Sequence, residues 1–264
     1  MRQLGIKQVQ ERLRSIAVIV DAICERHNIP LYMISGTMLG AVRHKGFVPW
    51  DDDMDFAVPY EQYHNLIRIL RDELPDNLRC LTYDTSETYM IPWIKVENTD
   101  TIMMDPCLNV PQDKMPGLTI DIFPLVDCEI QDCRKTVKKI QRLLSLNRIA
   151  YSKSNDKKNK WKKCVKSMIR MLTPLSPNDI NDRIHKLMDS IGTGNSYTIP
   201  VDPNYYNRYF PKQWFKPLTK YDFENTCFYG VAQYDSYLKE IYGNYMELPP
   251  LEKRRVHCDN VFYR

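Results

Sequence analysis

Residues 51–55 read Asp51, Asp52, Asp53, Met54 and Asp55, and run directly into apolar Phe56, Ala57 and Val58. Four carboxylates in five positions repel one another, and a folded chain relieves that repulsion by protonation, by basic partners or by a bound divalent cation. Residues 54–58 have the character of a short strand, on which alternate side chains share a face. Asp53 and Asp55 then point one way, Met54 and Phe56 the other. Two carboxylates so placed can chelate one cation, with Asp51 as an outer acid at the strand's entrance and Asp52 turned away.

A third acid, Asp121, stands in the middle of the apolar run Ile120, Ile122 and Phe123, where an unpaired charge is costly. With that strand beside the first, Asp53, Asp55 and Asp121 converge on one point and suit one or two Mg2+ or Mn2+ ions, phosphate oxygens completing the shell. Upstream, Ser35, Gly36 and Thr37 form a turn that offers backbone N–H groups and hydroxyls to the same phosphates. Gly36 has no side chain to block close approach.

Other carboxylate chemistries fit poorly. An EF-hand starting at Asp51 places Phe56 where glycine belongs and Gln62 where a bidentate glutamate belongs. Acids two residues apart on one strand sit closer than the acid and base of a glycosidase. Neither a GxSxG elbow nor a GxxxxGK phosphate loop occurs.

The elements that position these acids are legible in outline. Val9, Leu13, Ile16, Val20 and Ile23 recur at helical spacing, and that helix stops near Asn28 and Pro30. Residues 31–34 read as a strand, 38–43 as a short helix, and 61–74 as a helix ended by Pro75. Residues 78–83, 90–96, 101–104 and 118–123 read as further strands. The fold class is α/β (α+β), a mixed sheet with flanking helices over residues 1–127. Residues 128–264 form a more helical half, of which 214–245 has the apolar density to pack back on the first.

Composition bounds the rest. Of the 264 residues 43% are hydrophobic and 27% charged, which is ordinary for a folded soluble chain, and no run approaches the length of a membrane span. The N-terminal residues lack the apolar stretch of a secretion signal, so the expected address is cytoplasmic. Eight cysteines without a CxxC pair argue for free thiols instead of a zinc site. The net charge of +4 conceals a strong asymmetry, because residues 134–170 hold 14 Lys or Arg against Asp156 alone. Val137, Ile140 and Leu144, then Trp161, Val165, Met168 and Leu172, suggest two basic amphipathic helices around a polar linker at 152–160. The pair is either packed on the domain with a solvated basic face or, over residues 134–172, a peripheral dock on an anionic membrane.

The run from Ser35 to Asp55, with Leu39, Gly40, Arg43, His44, Lys45, Gly46, Pro49 and Trp50 inside it, closely resembles the signature of the LicD family of phosphotransferases. The similarity continues at Ile120, Asp121, Ile122, Phe123, Pro124 and Leu125, and at Tyr242, Gly243, Asn244 and Tyr245 with Pro249 and Pro250. The resemblance implies a nucleotidyltransferase-like fold. It also implies an enzyme that moves a phospho-alcohol, typically phosphocholine, from a CDP-alcohol donor to a glycan or glycolipid acceptor, releasing CMP, with no nucleic-acid partner. Relatives of the fukutin type carry a cysteine zinc finger that is not found here. By the same resemblance the metal sits on Asp53 and Asp55, and Asp121 either completes a second metal site or acts as general base.

Several residues around these acids have two readings each. Arg43, His44 and Lys45 either hold phosphate or balance the acidic cluster. Lys95, a lone cation in the strand with Trp93, Ile94 and Val96, either contacts a phosphate or carboxylate in the site or faces water from an edge strand. Trp50 stacks on the cytosine, encloses a choline ammonium by cation-π attraction, or packs in the core. Tyr205 and Tyr206, the tyrosines between 229 and 237, and Arg254, Arg255 and His257 are weaker candidates for the same contacts.

Overall fold

The computed structural model describes residues 2–85, 91–104, 115–151, 167–168, 171, 175–254, 256 and 260–264. Helix α1 (Ile6–Arg26) buries Val9, Leu13, Ile16, Val20 and Ile23 along the expected stripe. Strand β1 (Tyr32–Met33) leads into α2 (Ser35–His44), then β2 (Asp55–Pro59) and α3 (Tyr60–Glu73). Leu74 leaves α3 in extended conformation because Pro75 disfavours a helical residue before it. Strands β3 (Leu78–Leu81), β4 (Ile94–Asn98), β5 (Thr101–Met103) and β6 (Thr119–Cys128) follow. The second half supplies α4 (Ile130–Tyr151), α5 (Pro177–Asp189), β7 (Ser196–Thr198), β8 (Phe210–Pro211), β9 (Thr219–Phe223), β10 (Thr226–Gly230), α6 (Tyr234–Tyr242) and β11 (Val261–Tyr263).

The main sheet runs β3-β4-β6-β2-β1-β10-β9, with β7 extending β6 and β8 beyond it. Strand β2 is parallel to β6 and β1 to β10, and the other pairings are antiparallel, so the sheet is mixed. β5 and β11 form a separate two-stranded ribbon.

Three features differ from the sequence reading. β6 continues to Cys128 and so crosses the 127/128 boundary, because Pro124, Leu125 and Val126 extend its buried run. Residues 219–230 form a hairpin, not helix, and lay β10 directly against β1, which puts both halves of the chain in one sheet. Phe228 packs edge-on against Phe56 of β2 at 5.7 Å, and Phe223 against Phe47 at 4.9 Å. Each buried ring contributes roughly 1.5–3 kcal/mol of burial to that seam. Strand β4 starts at Ile94, just after Pro92, which has no N–H to give a ladder.

The first basic helix is α4, with Val137 and Ile140 buried. The polar linker at 152–160 and most of the second basic helix lie outside the described residues. Cys24, Cys80, Cys128, Cys133 and Cys227 are free thiols, all but Cys227 buried. Among the described residues no helix is long and apolar enough to cross a membrane.

Candidate active site

Three neighbouring strands bring the key charges into one row. Asp55 on β2 is registered with Asp121 on β6, and Asp121 with Lys95 on β4. Registered residues share a sheet face, so two carboxylates and an ammonium lie side by side across β2, β6 and β4. The Asp121 N–H donates to the Met54 carbonyl at 3.0 Å and extends the β2–β6 pairing to the residue between the two strand-side acids.

Asp121 is firmly held. Lys95 Nζ donates to its Oδ1 at 2.5 Å and Trp93 Nε1 to its Oδ2 at 3.1 Å, while the indole stacks on Phe123 at 5.1 Å. Lys95 therefore sits between strands β3 and β6, on a carboxylate, and not at a sheet edge facing water. Trp93 is two residues before Lys95 on the same chain segment, a spacing from which its part in the site was readable.

Charge crowds around Asp55. Its carboxyl is pushed well above the ordinary range, first by burial and then by Asp53, Asp121 and Asp202, with Lys95 pulling the other way. Asp51 is raised to about 8 by burial, by the charges of Asp53 and Asp52, and by a side-chain hydrogen bond with Asp53. Regular strand begins at Asp55, so Asp53 belongs to the connection leading in, and it is brought to Asp55 by that connection instead of by strand alternation. Asp52 is buried, at 7% exposure.

The Gly-Thr turn is the first turn of α2 and serves the acids from behind. Thr37 Oγ1 accepts the Asp55 N–H at 2.8 Å, fixing the start of β2. Ser35, at φ +50, donates its N–H to Tyr237 Oη at 3.2 Å, and its hydroxyl meets Tyr205 Oη at 2.7 Å. Both side-chain hydroxyls expected to face phosphate thus have partners inside the protein. At Gly36 a Cβ would come within 2.7 Å of Asp51 Oδ2, so the glycine makes room for a carboxylate of the cluster.

Two groups from the second half complete the surroundings: Asp202, which was not legible in sequence, and Tyr242, which stands in the C-terminal motif that carries the family resemblance. Asp202, 6% exposed, accepts the Asn204 N–H at 2.8 Å, and its own carboxyl is raised by burial and by Asp121. Tyr242 is raised above the usual phenol range by burial, by Tyr237 and by the charges of Asp55, Asp51 and Asp53. No local pattern announces Asp202; it follows Val201 and precedes Pro203, an ordinary turn, and only the tertiary fold brings it to the acids.

The other expected contacts divide. Arg43 gives Nη1 to the Tyr245 carbonyl at 2.6 Å, which ties it to the C-terminal segment, and Nε to His44 at 3.0 Å. Burial and Arg43 push His44 below the usual imidazole value. Lys45 is the left-handed cap at the far end of α2 from Thr37, exposed beside Lys7, Arg14 and Glu224, and does not join the acids. Trp50 has the Arg254 guanidinium over its ring at 4.9 Å and the His44 ring at 6.5 Å, so one of its faces already holds a cation of the protein's own. Tyr205 and Tyr237 are buried and Tyr206 is exposed. Arg255 and His257 lie outside the described residues.

Among the described residues no three His, Cys, Asp or Glu side chains form a ready metal cage. Asp121 turns to Lys95 and Trp93, which satisfy it. The residues nonetheless fit a hard divalent cation: the donors are carboxylates, and the upward shifts of Asp51 and Asp55 mark an excess of negative charge that such an ion offsets.

Comparison with known proteins points the same way as the motifs. Residues 28–140 match the family described as LicD/FKTN/FKRP, nucleotidyltransferase domain. Over 272 aligned residues, 97% of each chain, the protein is 26% identical to the lipopolysaccharide cholinephosphotransferase LicD of Haemophilus influenzae. A 45-residue stretch, 17% of each chain, is 47% identical to an uncharacterized protein of Rickettsia prowazekii. Among solved structures, terminal uridylyl transferase 4 from Trypanosoma brucei with bound GTP aligns at 14% identity and a TM-score of 0.24, covering 65% of this chain and 54% of that one.

Proposed function

From the premise that this chain is a LicD-family protein, we propose that it transfers phosphocholine from CDP-choline to the glycan of a lipopolysaccharide-type acceptor, releasing CMP. The observation that carries this reading is the registered pair Asp55 and Asp121, with Asp53 beside them. A row of carboxylates on parallel neighbouring strands suits the two negatively charged phosphates of such a donor only if a cation stands between.

Asp53 and Asp55 are the residues that would hold Mg2+ or Mn2+, with Asp121 and Asp202 facing them. When bound, that ion supplies neutralisation of the phosphates and of the charge left on CMP. The chain's own part is positioning. Thr37 fixes the Asp55 backbone, and Lys95 with Trp93 holds the Asp121 carboxyl in one orientation. A carboxylate so clamped favours a ligand role over that of a proton acceptor. Asp202, raised by burial, is the better placed of the two to take the proton of the attacking hydroxyl.

The test is a panel of CDP-choline, CDP-ethanolamine, CDP-glycerol and CDP-ribitol with Mg2+ or Mn2+, assayed for CMP. CMP is expected from CDP-choline, and Asp55→Asn and Asp121→Asn are each expected to abolish it. Robust turnover by either variant, or with all divalent cation chelated, sinks the reading. Release of pyrophosphate from a nucleoside triphosphate would instead favour nucleotidyl transfer.

A further inference from the structure

The basic face expected along residues 134–170 acquires a shape where α4 meets α5. Lys139, Arg142, Leu143 and Leu146 stand at i, i+3, i+4 and i+7, and so form one stripe along α4. Arg183, Lys186, Leu187 and Ser190 repeat that spacing along α5 and its C-cap. The two stripes line a groove of about 600 Å3, within the range of small-ligand sites. Among the described residues four cations, three leucines and Ser190 make its walls, and no acid does.

The acids of α5 are engaged elsewhere. Asp182 accepts from Tyr83 Oη at 2.8 Å, toward the turn after β3, and Asp189 from Tyr60 Oη at 2.9 Å, toward the start of α3, while Asp179 caps the helix start with Ser176. Helix α5 thus separates an acidic, aromatic face from a basic, apolar one. Further along the basic segment, apolar side chains stand in the open: Ile149 is 47% exposed, Met168 52% and Met171 81%. Cations alone suit any polyanion. Leucines set between them, beside exposed Ile and Met, suit an amphiphile whose phosphate meets the rim and whose glycerol and upper chains meet the floor.

We propose that the α4–α5 groove docks this chain on an anionic phospholipid bilayer, through Lys139, Arg142, Arg183 and Lys186 on lipid phosphates and Leu143, Leu146 and Leu187 against the glycerol and acyl region. The docking does not rest on the catalytic reading. It would hold the acidic centre near acceptors that are themselves membrane-bound.

The full chain is floated with phosphatidylcholine vesicles, with and without about one-third phosphatidylglycerol. Binding is expected only to the anionic vesicles and is expected to fall away at about 0.5 M salt, where screening shrinks to a few ångströms. Arg142→Gln with Arg183→Gln is expected to weaken partition about 25-fold, roughly fivefold per cation. Leu187→Gln, which keeps all four cations, is expected to weaken it several-fold. These positions are exposed or half-buried, and unchanged melting curves verify that the variants fold. Equal partition to neutral and anionic vesicles, or a double variant that binds as tightly as wild type, overturns the proposal. Tighter binding to a single-stranded oligonucleotide, insensitive to Leu187→Gln, overturns it in favour of a nucleic-acid surface.

Discussion

Replacing Lys95 with methionine keeps the apolar stem between the strands and removes the charge. The Lys95 and Asp121 side chains are 18% and 19% exposed, so their pair is mostly shielded from solvent. Breaking a buried pair from one side costs about 3–5 kcal/mol because it strands the other charge. The remaining exposure brings the expectation to the lower end, about 3 kcal/mol, within the 5–15 kcal/mol that holds a typical domain together. In a chain of this size each kcal/mol lowers the melting temperature by about 2 °C or slightly more, which gives a drop of about 6 °C at pH 8. Asp121 loses the ammonium that faces it and Asp55 loses a cation that pulls its carboxyl down. Acidification to about pH 5 protonates part of the cluster, so the deficit is expected to shrink there, and Mg2+ is expected to raise the melting point of the variant more than that of wild type. Circular dichroism melts at both pH values, with Mg2+ and with chelator, measure this. A variant that melts within about 1 °C of wild type at pH 8, or a deficit indifferent to pH and Mg2+, would refute a role for the charge.

Asp51 is raised to about 8, so the stability it contributes is complete near pH 4 and is lost as pH climbs to about 8. Most of the opposing titration of His185, pushed down to about 4 by burial and His64, is over by pH 6.5, and urea unfolding of chelated protein between pH 6.5 and 8 is expected to show a decline, shared with Asp55, that Asp51→Asn reduces; an unchanged slope removes Asp51 from the account. Gly36→Ala drives a methyl group into the Asp51 carboxylate and is expected to cost about 1–3 kcal/mol in stability and about 100-fold in turnover, whereas near-normal CMP release contradicts the close approach. Asp202→Asn keeps an acceptor for the Asn204 N–H and is expected to lower kcat by about 100-fold or more with the fold intact; a wild-type kcat excludes Asp202 from proton transfer.

Local pattern carried much of this molecule. The five-residue stripe of α1, the Pro75 stop of α3 and the position of Asp121 in an apolar strand all follow from spacing and propensity, and they reach the structure intact. What spacing does not encode is which strands become neighbours. The pairing of Asp55 with Asp121 is a register, set by tertiary packing, and so is the pairing of Lys95 with Asp121. The hairpin at 219–230 did leave a period-two trace, since Tyr221 and Phe223 alternate with Lys220 and Asp222, but its tyrosines fit helical spacing as well. The partners of the serine and threonine of the turn are hidden for a related reason. The Thr37 hydroxyl accepts the Asp55 N–H, the Ser35 hydroxyl meets Tyr205, and the Ser35 N–H donates to Tyr237, partners that no local spacing announces.

The link from Ser35 to Tyr205 and Tyr237, together with the β1–β10 pairing, has a temporal side. Met33 meets Gly230, so the strand in front of the turn waits during synthesis until nearly the whole chain has left the ribosome. Contacts so distant in sequence form late and slow the final closure. A chain ending before β10 would therefore keep its aspartates and Tyr205 while Ser35 lacked Tyr237 and β1 lacked its β10 neighbour, so the turn behind the acids is completed only when residues 226–237 join the sheet.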